Sequence, residues 1–168
     1  MITNLYDLYI HEIKDLHSAE TQILAALPKL AARATCEDLK KAFESHIDET
    51  REQLNRLNTI LGNRNERAGN DVCEATRGLI KEGESLIADM AGDVVDAGLI
   101  AAAQRIEHYE IAGYGTAKEY ASVLDFDDDV KLLDETLEEE AGANDKLNKL
   151  AMGGFFSKGA NKDALVNA

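Results

Sequence analysis

Three glutamates lie on the apolar faces of segments that have helical periodicity. On a helical wheel, Glu20 falls about 40° from the centre of the apolar stripe of its segment. Glu110 and Glu140 fall near the centres of the stripes of their own segments. A carboxylate in such a position faces other helices instead of water, and its burial is unfavourable unless it is paired. Each of the three therefore requires a partner or a bound cation.

The acidic residues also lie at the same level along the bundle axis if neighbouring segments form antiparallel hairpins. Residues equally distant from the turn of a hairpin lie at the same level of the pair. One acid precedes and one follows the turn at Thr35 at nearly equal distances, and the same holds for the turn at Phe126. Four segments therefore place carboxylates near the middle of a bundle: Glu20, Glu49, Glu110 and Glu140.

Carboxylate oxygens with an imidazole nearby are the ligands that suit iron, manganese or zinc. The di-metal bundle pattern has one Glu from each of two helices and a Glu-x-x-His from each of the other two. Here the order is reversed, as His46-x-x-Glu49, with His46 about 55° and Glu49 about 115° from the stripe centre. Glu140 is followed at i+4 by Asn144, a weaker ligand than His or Asp, and Glu107 could supply a further carboxylate.

Other interpretations of these residues stay open at this stage. The chain has 32 acidic residues, most of which are expected to be solvated, and a stripe glutamate could form a buried ion pair with Arg105 or Lys146. Tyr114 could pack in the core, hydrogen-bond to a ligand or donate an electron. Thr50 and Gln53 could be donors to the ligands or ordinary polar residues at a helix seam.

The elements that must position these residues are four long segments with apolar residues at helical spacing, at about 4–34, 37–61, 96–124 and 128–151. Short loops join the first segment to the second and the third to the fourth, so each pair is predicted to form an antiparallel hairpin. The long piece between the two hairpins, 62–95, has helical spacing at 71–90. Asn4 is expected to cap the first helix. Pro28 is expected to kink or break its last turns.

One long crossover between two hairpins is how ferritin-like folds are connected. The predicted fold is therefore all-α: a ferritin-like four-helix bundle whose crossover carries a fifth helix. Residues 1–152 form the bundle, and 153–168 form a C-terminal tail.

Composition narrows the class of protein further. The 168 residues predict one domain, or two at most, and the formal net charge of −14 disfavours nucleic acid and anionic membrane surfaces as partners. The charge-free stretch Ala97–Gln104 is too short to span a bilayer. Asp7 and Glu12 lie where a signal peptide would be basic and apolar. The lone Cys36 and Cys73 predict no disulfide framework, so we expect a cytoplasmic protein.

A resemblance to the YciE/YciF family of bacterial ferritin-like stress proteins is carried by the strings SAETQIL, AFESHIDETREQLNRL, GLIKEG, DAGLIAAAQRIEHYEIAGYGT and LLDETLEEE. It runs from about residue 4 to residue 152. The resemblance implies a five-helix fold similar in topology to rubrerythrin, a homodimer and induction under stress. It also implies metal-site positions at Glu20, His46, Glu49, Glu107, Glu110 and Glu140.

Residues and resemblance together predict a stress-response protein with a di-metal site for iron or manganese, which zinc could also occupy after purification. Its redox chemistry would be oxidation of ferrous iron, or reduction of oxygen or peroxide. Asn144 departs from the family, which usually has Asp there, and the missing charge weakens the expectation of a second ion. The alternative is a non-enzymatic dimeric stress or scaffold protein, with a structural glutamate layer and a docking element at 153–156. A DNA-protecting cage is disfavoured by the charge.

Overall fold

The computed structural model describes residues 1–153 and 158–165, and within them the secondary structure is entirely helical. The helices are α1 (Leu5–Arg33), α2 (Glu37–Asn63), α3 (Glu74–Ala88), α4 (Val94–Val123), α5 (Asp127–Met152) and α6 (Ala160–Asp163). The all-α prediction is confirmed, and the four long helices and the crossover helix α3 occur where the periodicity predicts them.

The four long helices form two hairpins that pack side by side. α1 packs on α2 and α4 packs on α5, and the hairpins meet through contacts of α1 with α4 and of α2 with α5. α3 covers α4 and α1, and the single turn α6 contacts α4 and α5. The proposed docking element at 153–156 lies, except for Gly153, outside the described residues.

Helix α1 begins and ends close to the predicted residues, and it continues through Pro28. The side chain of Asn4 accepts a hydrogen bond from the backbone N–H of Asp7, which satisfies one of the free donors of the first turn. Of the kink or break expected at Pro28, the break is wrong, because α1 continues through it to Arg33. Pro28 lies on the exposed face, where water can reach the carbonyl that the ring leaves unpaired. Leu27 and Ala31 beside it are buried and hold the helix to the core.

The interior has two apolar halves with a polar layer between them. One half surrounds Leu27, Phe43 and Leu99, and the other surrounds Leu16 and Leu57. Near the middle of each long helix, buried polar residues interrupt the apolar stripe, and these interruptions coincide in space. The fold therefore places the polar layer between two apolar halves, away from both ends of the bundle.

Among the described residues, none of the helices has both the length and the apolar character that a membrane span requires.

Candidate metal centre

Four buried side chains converge in the polar layer. One potential ligand atom from each of His46, Glu107, Glu110 and Glu140 lies within 4.8 Å of the others. They come from three helices: α2 supplies the histidine, α4 supplies two glutamates one turn apart, and α5 supplies the last. The fourth helix, α1, contributes Glu20, which is also buried and lies close enough to Glu110 and Glu140 to influence their ionisation.

Helical geometry explains why these side chains face each other. Glu107 and Glu110 are three residues apart, so they lie on the same face of α4. Gly113, one turn further along α4, lets α1 approach closely, since a Cβ there would lie only 2.8 Å from Cδ2 of Leu16. Leu16 in turn lies one turn before Glu20 on α1. The close approach therefore brings the glutamates of α1 and α4 together.

Several carboxylate oxygens of this layer lack hydrogen-bond partners. Five buried carboxylate oxygens have none: Oε2 of Glu20, Oε2 of Glu107, both oxygens of Glu110 and Oε2 of Glu140. Buried polar atoms are nearly always paired in folded proteins, and an unpaired one costs about 1–3 kcal/mol. Unpaired oxygens that face one another therefore indicate a place for protons or a cation.

His46 is oriented toward the layer by Glu49. Its Nδ1 lies 3.1 Å from Oε2 of Glu49, and its Nε2 lies 3.6 Å from Glu107 and 3.9 Å from Glu140. The side chain of Glu49 is 40% exposed and lies outside the four-residue group. A carboxylate on one ring nitrogen that leaves the other free for a metal is a common arrangement around metal-binding histidines.

Tyr114 and Gln53 bind two of the glutamates from the side. The Tyr114 hydroxyl, fully buried, donates to Oε1 of Glu20 at 2.5 Å. The amide of Gln53 donates to Oε1 of Glu140. Thr50, the other donor considered from the sequence, donates instead to the backbone carbonyl of His46 on its own helix. Each donor leaves the second oxygen of its glutamate free to face the layer.

The two basic residues considered as ion-pair partners do not reach the layer. Arg105 is exposed, and its guanidinium donates to the carbonyl of Ala101. Lys146 is exposed as well. Among the described residues, His46 is the only basic side chain within 4.0 Å of a carboxylate of the inner glutamates.

Burial is the largest cause of a raised pKa for every glutamate of the layer. It raises the pKa of Glu20 to about 8, with the charge of Glu140 acting in the same direction. The other three inner glutamates have raised pKa values as well: Glu107, Glu110 and Glu140. Burial alone would lower the pKa of His46, but its hydrogen bond with Glu49 and the nearby carboxylates raise it to about 10. Burial therefore favours the protonated form of these glutamates when no metal is bound, and a metal that binds must displace the protons they carry.

The metal-free protein should become less stable as the pH rises above 5. Glu20, with a folded pKa of about 8 against an ordinary 4.5, keeps a proton that the unfolded chain loses. His46, with a folded pKa of about 10 against 6.5, does the same at higher pH. The folded state therefore binds more protons, and the free energy of unfolding falls with rising pH, by about 1.4 kcal/mol for each unit of pKa shift. Urea unfolding after EDTA treatment at pH 5, 7 and 9 measures this, and a flat or rising profile would contradict it.

Comparison with known proteins links this arrangement to a family. The family model described as Domain of unknown function (DUF892) matches residues 4–164. Protein YciF from Escherichia coli (strain K12) is 42% identical over 158 residues, which cover 93% of this chain and 95% of YciF.

Two solved structures have the same overall fold. One is YcfI from Rhodopseudomonas palustris, whose description suggests a structural protein. It has a TM-score of 0.87 and 41% identity to this chain, and the match covers 90% of this chain and 97% of YcfI. The crystal structure of the E. coli stress protein YciF has a TM-score of 0.85 and 40% identity, and covers 89% of this chain and 95% of its own.

Proposed function

The chain belongs to the DUF892 family, and we propose that its buried glutamate–histidine layer binds iron or manganese, as one or two ions. The resemblance to the YciE/YciF family is confirmed by the similarity to YciF. We propose a role in the bacterial stress response, through oxidation of ferrous iron or reduction of oxygen or peroxide. Zinc is the metal that we expect to replace the native one during purification.

The observation that carries this proposal is the set of five buried carboxylate oxygens without partners. They belong to glutamates of three helices, and an imidazole nitrogen from the fourth helix lies beside them. Oxygen donors with one imidazole suit iron and manganese better than softer metals that prefer sulfur. The residues present therefore fit a transition-metal site of this kind.

Each residue of the layer has a role in the proposed site. The ligands would be Glu107, Glu110, Glu140 and Nε2 of His46, with Glu20 completing the set from α1. Glu49 holds the imidazole ring in position. Tyr114 holds Glu20 and keeps a phenol in contact with a ligand. When bound, iron or manganese would supply one-electron chemistry that the side chains lack.

The Glu140→Gln variant should lose stoichiometric iron binding, because a neutral amide is a poor replacement for a carboxylate ligand. The amide oxygen of the new residue can still accept from Gln53, so the fold should be retained. The matched control is Glu138→Gln, two residues away on the same helix and exposed. Elemental analysis after anaerobic loading should give about tenfold less iron in the first variant and wild-type iron in the second. Equal iron in both would contradict the proposal, and Glu20→Ala should behave as Glu140→Gln does.

A second candidate function is a non-enzymatic dimeric stress or scaffold protein. The observation that favours it is that protons alone can neutralise the layer, since the pKa values of its glutamates are raised. Under this alternative, cells that carry Glu20→Gln together with Glu140→Gln should survive peroxide stress as well as cells with the unchanged protein. Loss of survival, with the variant folded and abundant, would exclude it.

We also propose that the protein is a cytoplasmic homodimer that does not bind nucleic acid. Twofold symmetric dimers are the commonest oligomers, and the formal net charge of −14 opposes contact with phosphates. Light scattering of the purified protein would measure its mass directly.

A further inference from the structure

A cavity of about 280 Å³ opens between α2 and α5 beside the glutamate–histidine layer. Apolar side chains of Phe43 and Leu147 line it, and both are buried. Buried His46 and Glu107 also line it, so the cavity reaches the layer. Oε2 of Glu107 is among the oxygens that have no hydrogen-bond partner. The cavity is therefore lined by apolar side chains on one side and by an unpaired carboxylate oxygen on the other.

Small residues on both helices create this space. Ala42 on α2 and Gly142 and Ala143 on α5 line the cavity, where larger side chains would close the gap between the helices. A Cβ on Gly142 would meet no atom within 4 Å. Glycine inside a helix costs about 1 kcal/mol relative to alanine, and packing does not require it at this position.

The size of the cavity indicates which class of molecule it can hold. A water molecule takes up about 30 Å³ of liquid volume, and dioxygen, peroxide or a metal ion needs little more. Sites for small organic ligands have volumes of about 300–1,000 Å³, and a cavity of about 280 Å³ lies just below that range. The space therefore suits a small organic molecule with an apolar body.

The charges around the cavity indicate which charge the polar end of a ligand should carry. Glu139 is held by Arg56 through two hydrogen bonds of 2.6 and 2.7 Å, and Glu49 is held by His46. Lys146 also lines the cavity. Within the part of the chain that the structure describes, its ammonium group has no carboxylate within 4.0 Å. Two of the three lining acids, Glu49 and Glu139, are thus already paired, and Lys146 supplies a positive charge at the cavity for a ligand.

We propose that this cavity binds a small organic carboxylate, with its apolar body against Phe43 and Leu147 and its carboxylate paired with Lys146. The ligand would then lie against His46 and Glu107, as a substrate or reductant of the metal site. That last role rests on the proposed function, whereas binding in the cavity does not require a metal.

Binding can be measured on the full-length, metal-free protein with hexanoate as the probe, by NMR titration. Hexanoate should saturate the protein, and hexanol, which lacks the charge, and acetate, which lacks the apolar body, should bind more weakly. The Lys146→Met variant should weaken hexanoate binding about fivefold, because an exposed ion pair contributes little, and should leave hexanol binding unchanged. Absence of saturable hexanoate binding would overturn the inference.

Two matched glycine variants locate the site. Gly142→Leu should fill the cavity and abolish hexanoate binding. Gly115→Leu, inside α4 with open space at its Cβ but outside the lining, should retain it. Equal loss in both variants would overturn the inference, as would a change from dimer to monomer in Gly142→Leu alone, which would identify the cavity as part of a subunit interface. Iron stoichiometry of the same proteins is measured separately, so hexanoate binding without iron binding would reject the proposed function and leave this site standing.

Discussion

Replacing Glu110 with leucine should stabilise the metal-free protein while abolishing its metal binding. Glu110 is completely buried, and no donor other than a protonated neighbouring carboxyl reaches its two oxygens. An unpaired buried polar atom costs about 1–3 kcal/mol. Leucine has a similar volume and no polar atom, so it removes this cost without leaving a cavity. We expect the free energy of unfolding at pH 7 to rise by about 1–3 kcal/mol. Changes of opposite sign in stability and metal binding are typical of a functional site, since a structural residue would lose both.

Urea unfolding of the EDTA-treated protein, with and without the substitution, measures this change. The matched control is Glu119→Leu, an exposed position on the same helix. A surface substitution of this kind should change stability by no more than about 0.5 kcal/mol and leave metal binding intact. If Glu110→Leu instead destabilises the metal-free protein, the carboxyl group is satisfied in the fold and the account of the layer fails.

The Asp129→Ala variant should lose about 3 kcal/mol of stability, because it breaks a buried charged network. Asp129 is completely buried, and its Oδ2 accepts from the Tyr9 hydroxyl at 2.9 Å and from Nε of Arg64 at 2.8 Å. The guanidinium of Arg64 also lies 3.6 Å from the centre of the Phe126 ring. Removing the carboxylate leaves both donors without their acceptor at the end of the bundle where α1, α2 and α5 meet.

Asp128→Ala is the matched control for this network. Asp128 precedes Asp129 in the first turn of α5, but it is exposed and pairs with exposed Lys131. Such surface pairs contribute about 0–1 kcal/mol, so the control should unfold almost as the unchanged protein does. Thermal unfolding of the two variants side by side gives the comparison. Equal stability of the two would mean that the buried network contributes nothing.

Helical periodicity predicts which glutamates of the candidate site are buried. Glu20, Glu110 and Glu140 were assigned to apolar stripes, and all three are completely buried. The prediction succeeded because the period of 3.6 residues fixes which side chains share a face. The nearly equal sequence distances of the glutamates from the hairpin turns determined their level along the bundle axis, since both hairpins have short connections. His46, which lies further from its stripe centre, is buried as well.

The same reasoning missed what depends on contacts between helices. Asp129 lies three turns before Glu140 on the same face of α5, so the wheel that selected Glu140 contained the signal for it. Its partner Arg64 lies just beyond the end of α2, where helical periodicity does not predict the direction of a side chain. Glu49 was grouped with the ligands by its level in the bundle, by its spacing from His46 and by the family resemblance. Its position far from the stripe centre agrees with its partial exposure. The cavity beside Gly142 depends on the gap between α2 and α5, which the sequence of neither helix determines.

The most direct measurement is the metal content of the protein, as purified and after anaerobic loading with ferrous iron, by elemental analysis. The glutamate–histidine layer should bind between one and about two iron ions per chain, and oxygen should be consumed when the loaded protein meets air. Glu140→Gln should bind about tenfold less iron under the same conditions. No metal in either preparation would contradict the account, and would mean that protons alone neutralise the layer.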